Sequence, residues 1–331
     1  MADLALSLIV AANPRSQPII DGTVRPEGID LTVTVAHPSE IFWRQLRFAE
    51  FDVSEMSLSS LLMVVARGDS TWVGLPIFTT RRFFHTGILV RADAGIEQPA
   101  DLRGKRVGVP EYQQTAALWT RGVLQHEFGV APADMDWYME RTEELSHGGA
   151  TGFRPPPGVR FQRIPPDKSI ASMLLAGELD AALHYVPERN IIDRSGVDLE
   201  HHPRVRRLFP DPLAEGVRYY RKTGLFPINH GMVVRRSILE RHPWVALNLY
   251  KAFLAAKEQA LARTRELVDV YFRLGLLPAE AQQAFATDPY PYGVQANRHV
   301  LETIARYSYE QGLTPRVVAL EEVFAPSTLD L

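Results

Sequence analysis

The chain has 331 residues, 46% hydrophobic and 23% charged, and contains no cysteine. That length fits two domains of roughly 100 to 200 residues each, and the lack of cysteine excludes a cysteine nucleophile, disulfides, a thiolate zinc site and a cysteine-ligated iron–sulfur cluster. With 36 Lys and Arg against 39 Asp and Glu, a formal charge of −3 gives no global field for nucleic acid, so a small molecule is the expected partner.

The apolar run 4–12 has Asp3 where an export signal carries positive charge, and Asn13-Pro14-Arg15 follows it directly. It reads as a buried strand over 4–11, and a soluble, cytoplasmic protein is expected. No segment reaches the ~20 apolar residues of a membrane span, so no membrane partner is expected. Strands are predicted at 31–36, 51–56, 72–78 and 83–90, with helices at 40–50 and 57–67; Ser57 serves as N-cap of the second helix and Gly68 closes it. A second unit starts near Asp101: strand 105–109, helix 115–128, strand 136–140, a Gly- and Pro-rich loop 146–158, helix 169–176 and strand 179–185. After an extended run at 232–234 the chain turns helical, with long segments at 243–274 and 295–311. Strands separated by helices predict mostly parallel sheets.

This order resembles the type II periplasmic-binding-protein-like α/β fold: two lobes, two hinge crossings and a helical C-terminal region. The resemblance implies a discontinuous lobe 1 (residues 1–92 plus 228–331), a lobe 2 (93–227), and ligand bound between them at strand ends and helix starts. The C-terminal helices offer surfaces for a homo-oligomer.

The chemistry-bearing residues cluster at such positions. If 79–85 is extended, Arg81, Phe83 and His85 share one face beside Arg82, offering a cation fit for a carboxylate and a proton-transfer group. At the turn into helix 115–128, Tyr112, Gln113, Gln114 and Thr115 gather where helix N–H groups favour an anion, or serve only as a cap. His184 and Glu188 follow a strand end, and Asn229 and His230 stand at the second crossing. Arg15, Ser16, Glu55, Ser57 and Ser59 are lesser candidates that also fit caps and loops. Three histidines, His85, His184 and His230, thus fall between the lobes. Acid–base work suits them better than a metal, for HExxH is absent, and no phosphate-loop motif occurs.

Arg81-x-Phe83-x-His85, the stretch from Gly108 through Glu111 to Ala116 with Trp119-x-Arg121-Gly122, and Pro227-Ile228-Asn229-His230 together resemble the 4,5-dihydroxyphthalate decarboxylase family. Phe84 stands where that family commonly has Arg, and the glycine-rich stretch reads His147 to Arg154 without its usual acidic residues. The resemblance implies loss of one carboxylate of an aromatic acid as CO2, giving protocatechuate. The ring itself can accept the electrons, so no cofactor is expected. Arg81 would anchor a carboxylate with the 112–115 turn, His85, His184 and His230 would move protons, and Glu188 would orient one of them. Two alternatives stand beside this reading: a solute-binding protein for an aromatic acid or heterocycle, and an enzyme of another class on the same fold, such as a pyrimidine-precursor synthase that consumes one of its own histidines.

Overall fold

The computed structural model describes residues 3–188, 190–194, 196–279 and 281–331. The first strands are β1 (Leu4–Val10), β2 (Ile29–Val35), β3 (Val53–Ser57) and β4 (Trp72–Arg81). The next six are β5 (Leu89–Arg91), β6 (Arg106–Val109), β7 (Asp136–Met139), β8 (Arg160–Arg163), β9 (Ala181–Ala182) and β10 (Val205–Arg207), and the last is β11 (Ile228–Arg235). They form two sheets, ordered β2-β1-β3-β11-β4 and β10-β5-β9-β6-β7-β8. The apolar N-terminal run is therefore an internal strand.

Both sheets are mixed, which departs from the mostly parallel expectation. The returning strand β11 inserts antiparallel between β3 and β4, and β5 runs antiparallel to β9 and β10. β5, assigned to lobe 1 from sequence, pairs in the second sheet. β8 and β10 carry no strand signal in the sequence because they are short, Arg-rich edge strands, where charge blocks further pairing. The helix Pro212–Thr223 also lies outside the predicted elements.

The largest local difference falls on 83–90. β4 continues to Arg81, then Phe84–Gly87 makes a 3-10 turn before β5, so Arg81, Phe83 and His85 share no extended face. The predicted strand 179–185 shrinks to β9, because the backbone turns left-handed at His184 with φ 47°. Elsewhere the periodicity holds. Helices occupy Pro38–Phe48, Leu58–Ala66, Thr115–Phe128, Ile170–Ala176, Val245–Arg273 and Arg298–Glu310. Thr115–Phe128 buries its first ten residues, and a Cβ on Gly122 would stand 2.1 Å from the Tyr307 ring of Arg298–Glu310. No helix among the described residues is long and apolar enough to cross a membrane.

The helix Pro38–Phe48 ties the two sheets together. Ser39 Oγ donates to Asp193 (2.9 Å) and accepts from Arg141 (2.8 Å), while Trp43 and Arg47 donate to the Glu144 carbonyl at 2.8 and 2.7 Å.

Candidate active site

A cavity of about 1010 Å³ opens between the sheets. Its wall brings together the predicted residues Ser57, Arg82, Gln114, Thr115, His184, Glu188, Asn229 and His230. Arg15, Ser16, Glu55, Ser59, Arg81, His85, Tyr112 and Gln113 are not on that wall.

The reasons are local. Arg81 points away from the cavity and donates to the carbonyls of Phe226 (3.3 Å) and Pro291 (2.9 Å) and to the Asn297 side chain. His85 is buried against Phe209 and Tyr219, with Nε2 3.0 Å from Glu215. Arg15 donates to the Thr79 carbonyl at 2.6 Å and lies over the Tyr290 ring, while Ser16 donates to Ala11 O at 3.1 Å. Tyr112 is a core ring stacked under Arg121 and packed on Trp137, Phe153 and Phe161. Gln113 turns its side chain to Glu111, and its carbonyl accepts from Ser59 Oγ at 2.6 Å.

His230 owes its position to β11. The pairing of β11 with β4 slips in register around residues 228–232, and such irregularities re-aim side chains. Regular alternation would send Asn229 and His230 to opposite faces, yet both line the cavity. His230 Nδ1 lies 2.7 Å from Glu55 Oε1, Nε2 lies 2.7 Å from Asn229 Nδ2, and the Phe42 ring stands edge-on at 4.7 Å between centroids. Behind it, Glu55 is fully buried and also accepts from Ala11 N–H (2.9 Å) and Thr79 Oγ1 (2.7 Å). Burial by itself would raise its carboxyl; the hydrogen bond and charge of His230, with those two donors, hold it below the usual value. An ionised Glu55 keeps a proton on Nδ1 and leaves Nε2 to face the cavity.

His184 comes from the other sheet. Burial first, then the neighbouring Arg82, His230 and Arg141, push it down to about 3, so its imidazole is neutral at ordinary pH. It stands edge-on to Phe84, with centroids 5.8 Å apart. The exposed Arg82 side chain has no hydrogen-bonded or ion-paired partner among the described residues. A free cation thus stands within electrostatic reach of a neutral imidazole.

Sequence reasoning missed the floor between them. Arg141 and His147 both line the cavity and both reach the buried Glu111 carboxylate, at 2.6 and 2.7 Å. Arg141 also pairs with Asp193 at 2.7 Å, and His147 Nδ1 lies 3.2 Å from Ser60 Oγ. Burial works against the charge of Glu111, but His147, Arg141 and Ser146 outweigh it and bring the carboxyl to about 2. The only sequence signal for this floor lay in Glu111 of the strand-to-helix motif and His147 of the glycine-rich stretch. Of the three histidines expected together, His184 and His230 meet and His85 does not. Among the described residues no group of three His, Asp or Glu side chains is arranged to hold a metal ion.

Two mixed sheets with a cavity between them define a two-lobed protein of the type II periplasmic-binding-protein-like class. In structure the chain is similar to the alkanesulfonate-binding protein SsuA of Xanthomonas axonopodis pv. citri (TM-score 0.55, 16% identity, 98% of this chain and 99% of that one covered). The family described as "NMT1/THI5 like" matches residues 54–146. In sequence it is 35% identical to a 4,5-dihydroxyphthalate decarboxylase of Comamonas testosteroni, over 100% of this chain and 99% of that protein. A protein of the same name from Pseudomonas putida is 37% identical over 67% of this chain and 83% of its own length. The chain belongs to the 4,5-dihydroxyphthalate decarboxylase family.

Proposed function

We propose that the protein is a carboxy-lyase that removes one carboxylate from a hydroxylated aromatic acid, 4,5-dihydroxyphthalate by preference, giving protocatechuate and CO2. The observation that carries this reading is the match, along the whole chain, to a protein named for that reaction. The cavity supplies the means.

The reaction consumes one proton and involves no net oxidation. The bond from ring to carboxylate breaks, its electron pair stays on the ring carbon, and a C–H bond forms there. Protonation precedes the loss of CO2, and the resulting ring cation is relieved by the hydroxyl para to that carbon as it gives up its proton. His230 relays the proton the reaction consumes: with Glu55 accepting from Nδ1–H, Nε2 takes up a proton from solvent and passes it to the ring carbon; Asn229 must release Nε2 as substrate enters. Phe42, beside His230, gives the departing carboxylate an apolar neighbour, which favours loss of its charge. At the other end, neutral His184 accepts a hydrogen bond from the para hydroxyl while Arg82 stabilises the developing phenolate. Arg82 is thus the cation on the cavity wall, serving the phenolate, in place of the carboxylate anchor expected of Arg81. His85 serves as a wall support, and Glu188 lies at the exposed rim of the cavity.

A cytoplasmic site of action belongs to this proposal. The test is incubation with 4,5-dihydroxyphthalate while CO2 and protocatechuate are followed. Equimolar release of both is expected; tight binding of the acid without CO2 would turn the reading toward a solute-binding protein.

A further inference from the structure

Two helices begin at the cavity. Ser57 precedes Leu58–Ala66, Gln114 precedes Thr115–Phe128, and Ser57, Gln114, Thr115 and Ala116 all line the wall. Thr115 Oγ1 joins the two starts, 2.8 Å from Ser57 Oγ and accepting from Ser59 N–H at 2.9 Å. The opening N–H groups of a helix have no partner within it, so two positive dipole ends converge here. A second, independent feature points to a ligand. Gln114 is 8% exposed, forms no side-chain hydrogen bond among the described residues, and keeps its Nε2 donor buried without a partner.

The place is specific as well. Ser57 lies directly opposite His230 in the pairing of β3 with β11. A group held at the joined helix starts is therefore adjacent to the side chain that protonates the ring in the proposed reaction. On an aromatic ring, the neighbour of the reacting carbon is the ortho position.

We infer that the joined N-termini, with the Gln114 amide, form a carboxylate subsite that holds the retained carboxylate of an ortho-dicarboxylate substrate. This rests on the decarboxylase reading and deepens it. The subsite explains how one of two chemically equivalent carboxylates is chosen. The one at the helix starts is held in its charged state by N–H donors and stays; the one beside Phe42 is not, and leaves.

The test is binding, so it reads the subsite whether or not CO2 is released. The dissociation constants of 3,4-dihydroxybenzoate, which keeps only the retained carboxylate, and of its uncharged methyl ester are measured by calorimetry on the full chain and on Gln114→Glu. A glutamate there is favoured by the helix dipole but places its own carboxylate in the subsite. The unaltered chain is expected to prefer the acid by at least about tenfold, the scale of charge-assisted hydrogen bonds, and Gln114→Glu to bring that ratio near one while ester binding persists. Gln114→Ala, measured alongside, should give an intermediate ratio. A ratio unchanged in both variants, no preference in the unaltered chain, or equal loss of acid and ester would overturn the subsite. Absence of CO2 with the ratios as expected would reject the decarboxylase reading alone.

Discussion

At His184 the backbone sits in the left-handed region, φ 47°, which costs a residue with a side chain about 1–2 kcal/mol relative to glycine. Strain of this kind persists where function holds it, and His184 faces the cavity. His184→Gly should be more stable than His184→Ala by about 1 kcal/mol in denaturant unfolding, with turnover reduced in both. Equal stabilities would show that the strain is not stored there. The Glu55–His230 pair calls for a different readout. His230→Ala should lower kcat by at least ~100-fold with the fold intact, and Glu55→Gln should lower it less, because Nε2 keeps its place while its tautomer is no longer fixed. By contrast, His85→Ala should lower the melting temperature, since it leaves a void beside Phe209 and Tyr219, while kcat of the folded enzyme stays within about threefold. A large loss of kcat there would return His85 to the chemistry.

Elements carry the next level of control. Thr115–Phe128 must present Gln114 and Thr115 to the cavity at one end while its flank packs on Arg298–Glu310. Trp119 donates to the Ile228 carbonyl at 2.8 Å, fastening the helix to the start of β11, and Arg121 donates to Gln311 at 2.8 Å. The Trp-x-Arg-Gly motif is thus a packing motif that sets where the helix begins. Gly122→Ala would drive a methyl into the Tyr307 ring and should destabilise the protein by about 1–3 kcal/mol in thermal unfolding. No change in stability would mean that Tyr307 moves aside freely. These elements were legible because amphipathic or buried runs, a capping turn and Gly129 mark them locally. β8 and β10 were not, because Arg-rich edge strands take their hydrogen-bonding partners from distant segments.

Across the whole molecule, the charges under the cavity floor make stability depend on pH. Glu111, at about 2, and Glu55 and Asp193, both below their ordinary values, are ionised in the folded protein and would bind protons more readily when unfolded. Their contribution is complete above pH ~4.5 and is lost as pH falls toward 2. His184 acts in the same direction over another window: neutral in the folded state down to about 3, it takes a proton in the unfolded chain below pH ~6.5, so stability declines from there. The melting temperature should fall monotonically from pH 7 to 3. Glu111→Gln should flatten the part below 4.5 and His184→Gln the part above it, as read by scanning calorimetry. Identical slopes in both variants would assign the dependence to other groups.

By itself the sequence determined the binding-protein-like architecture, the family and the segments that meet at the cleft, because apolar period, caps and local motifs are properties of neighbouring residues. Which side chain in each segment faces the substrate was decided by tertiary structure. The 3-10 turn after Arg81 sends Arg82 to the cavity and His85 behind the wall, the slipped register of β11 turns Asn229 and His230 to the same side, and Glu111, Arg141, His147 and Asp193, well separated in sequence, meet only in the folded second lobe. Composition left a small anionic ligand open with a net charge of only −3; folding gathers the Arg82 guanidinium and two helix starts on the wall of a single cavity.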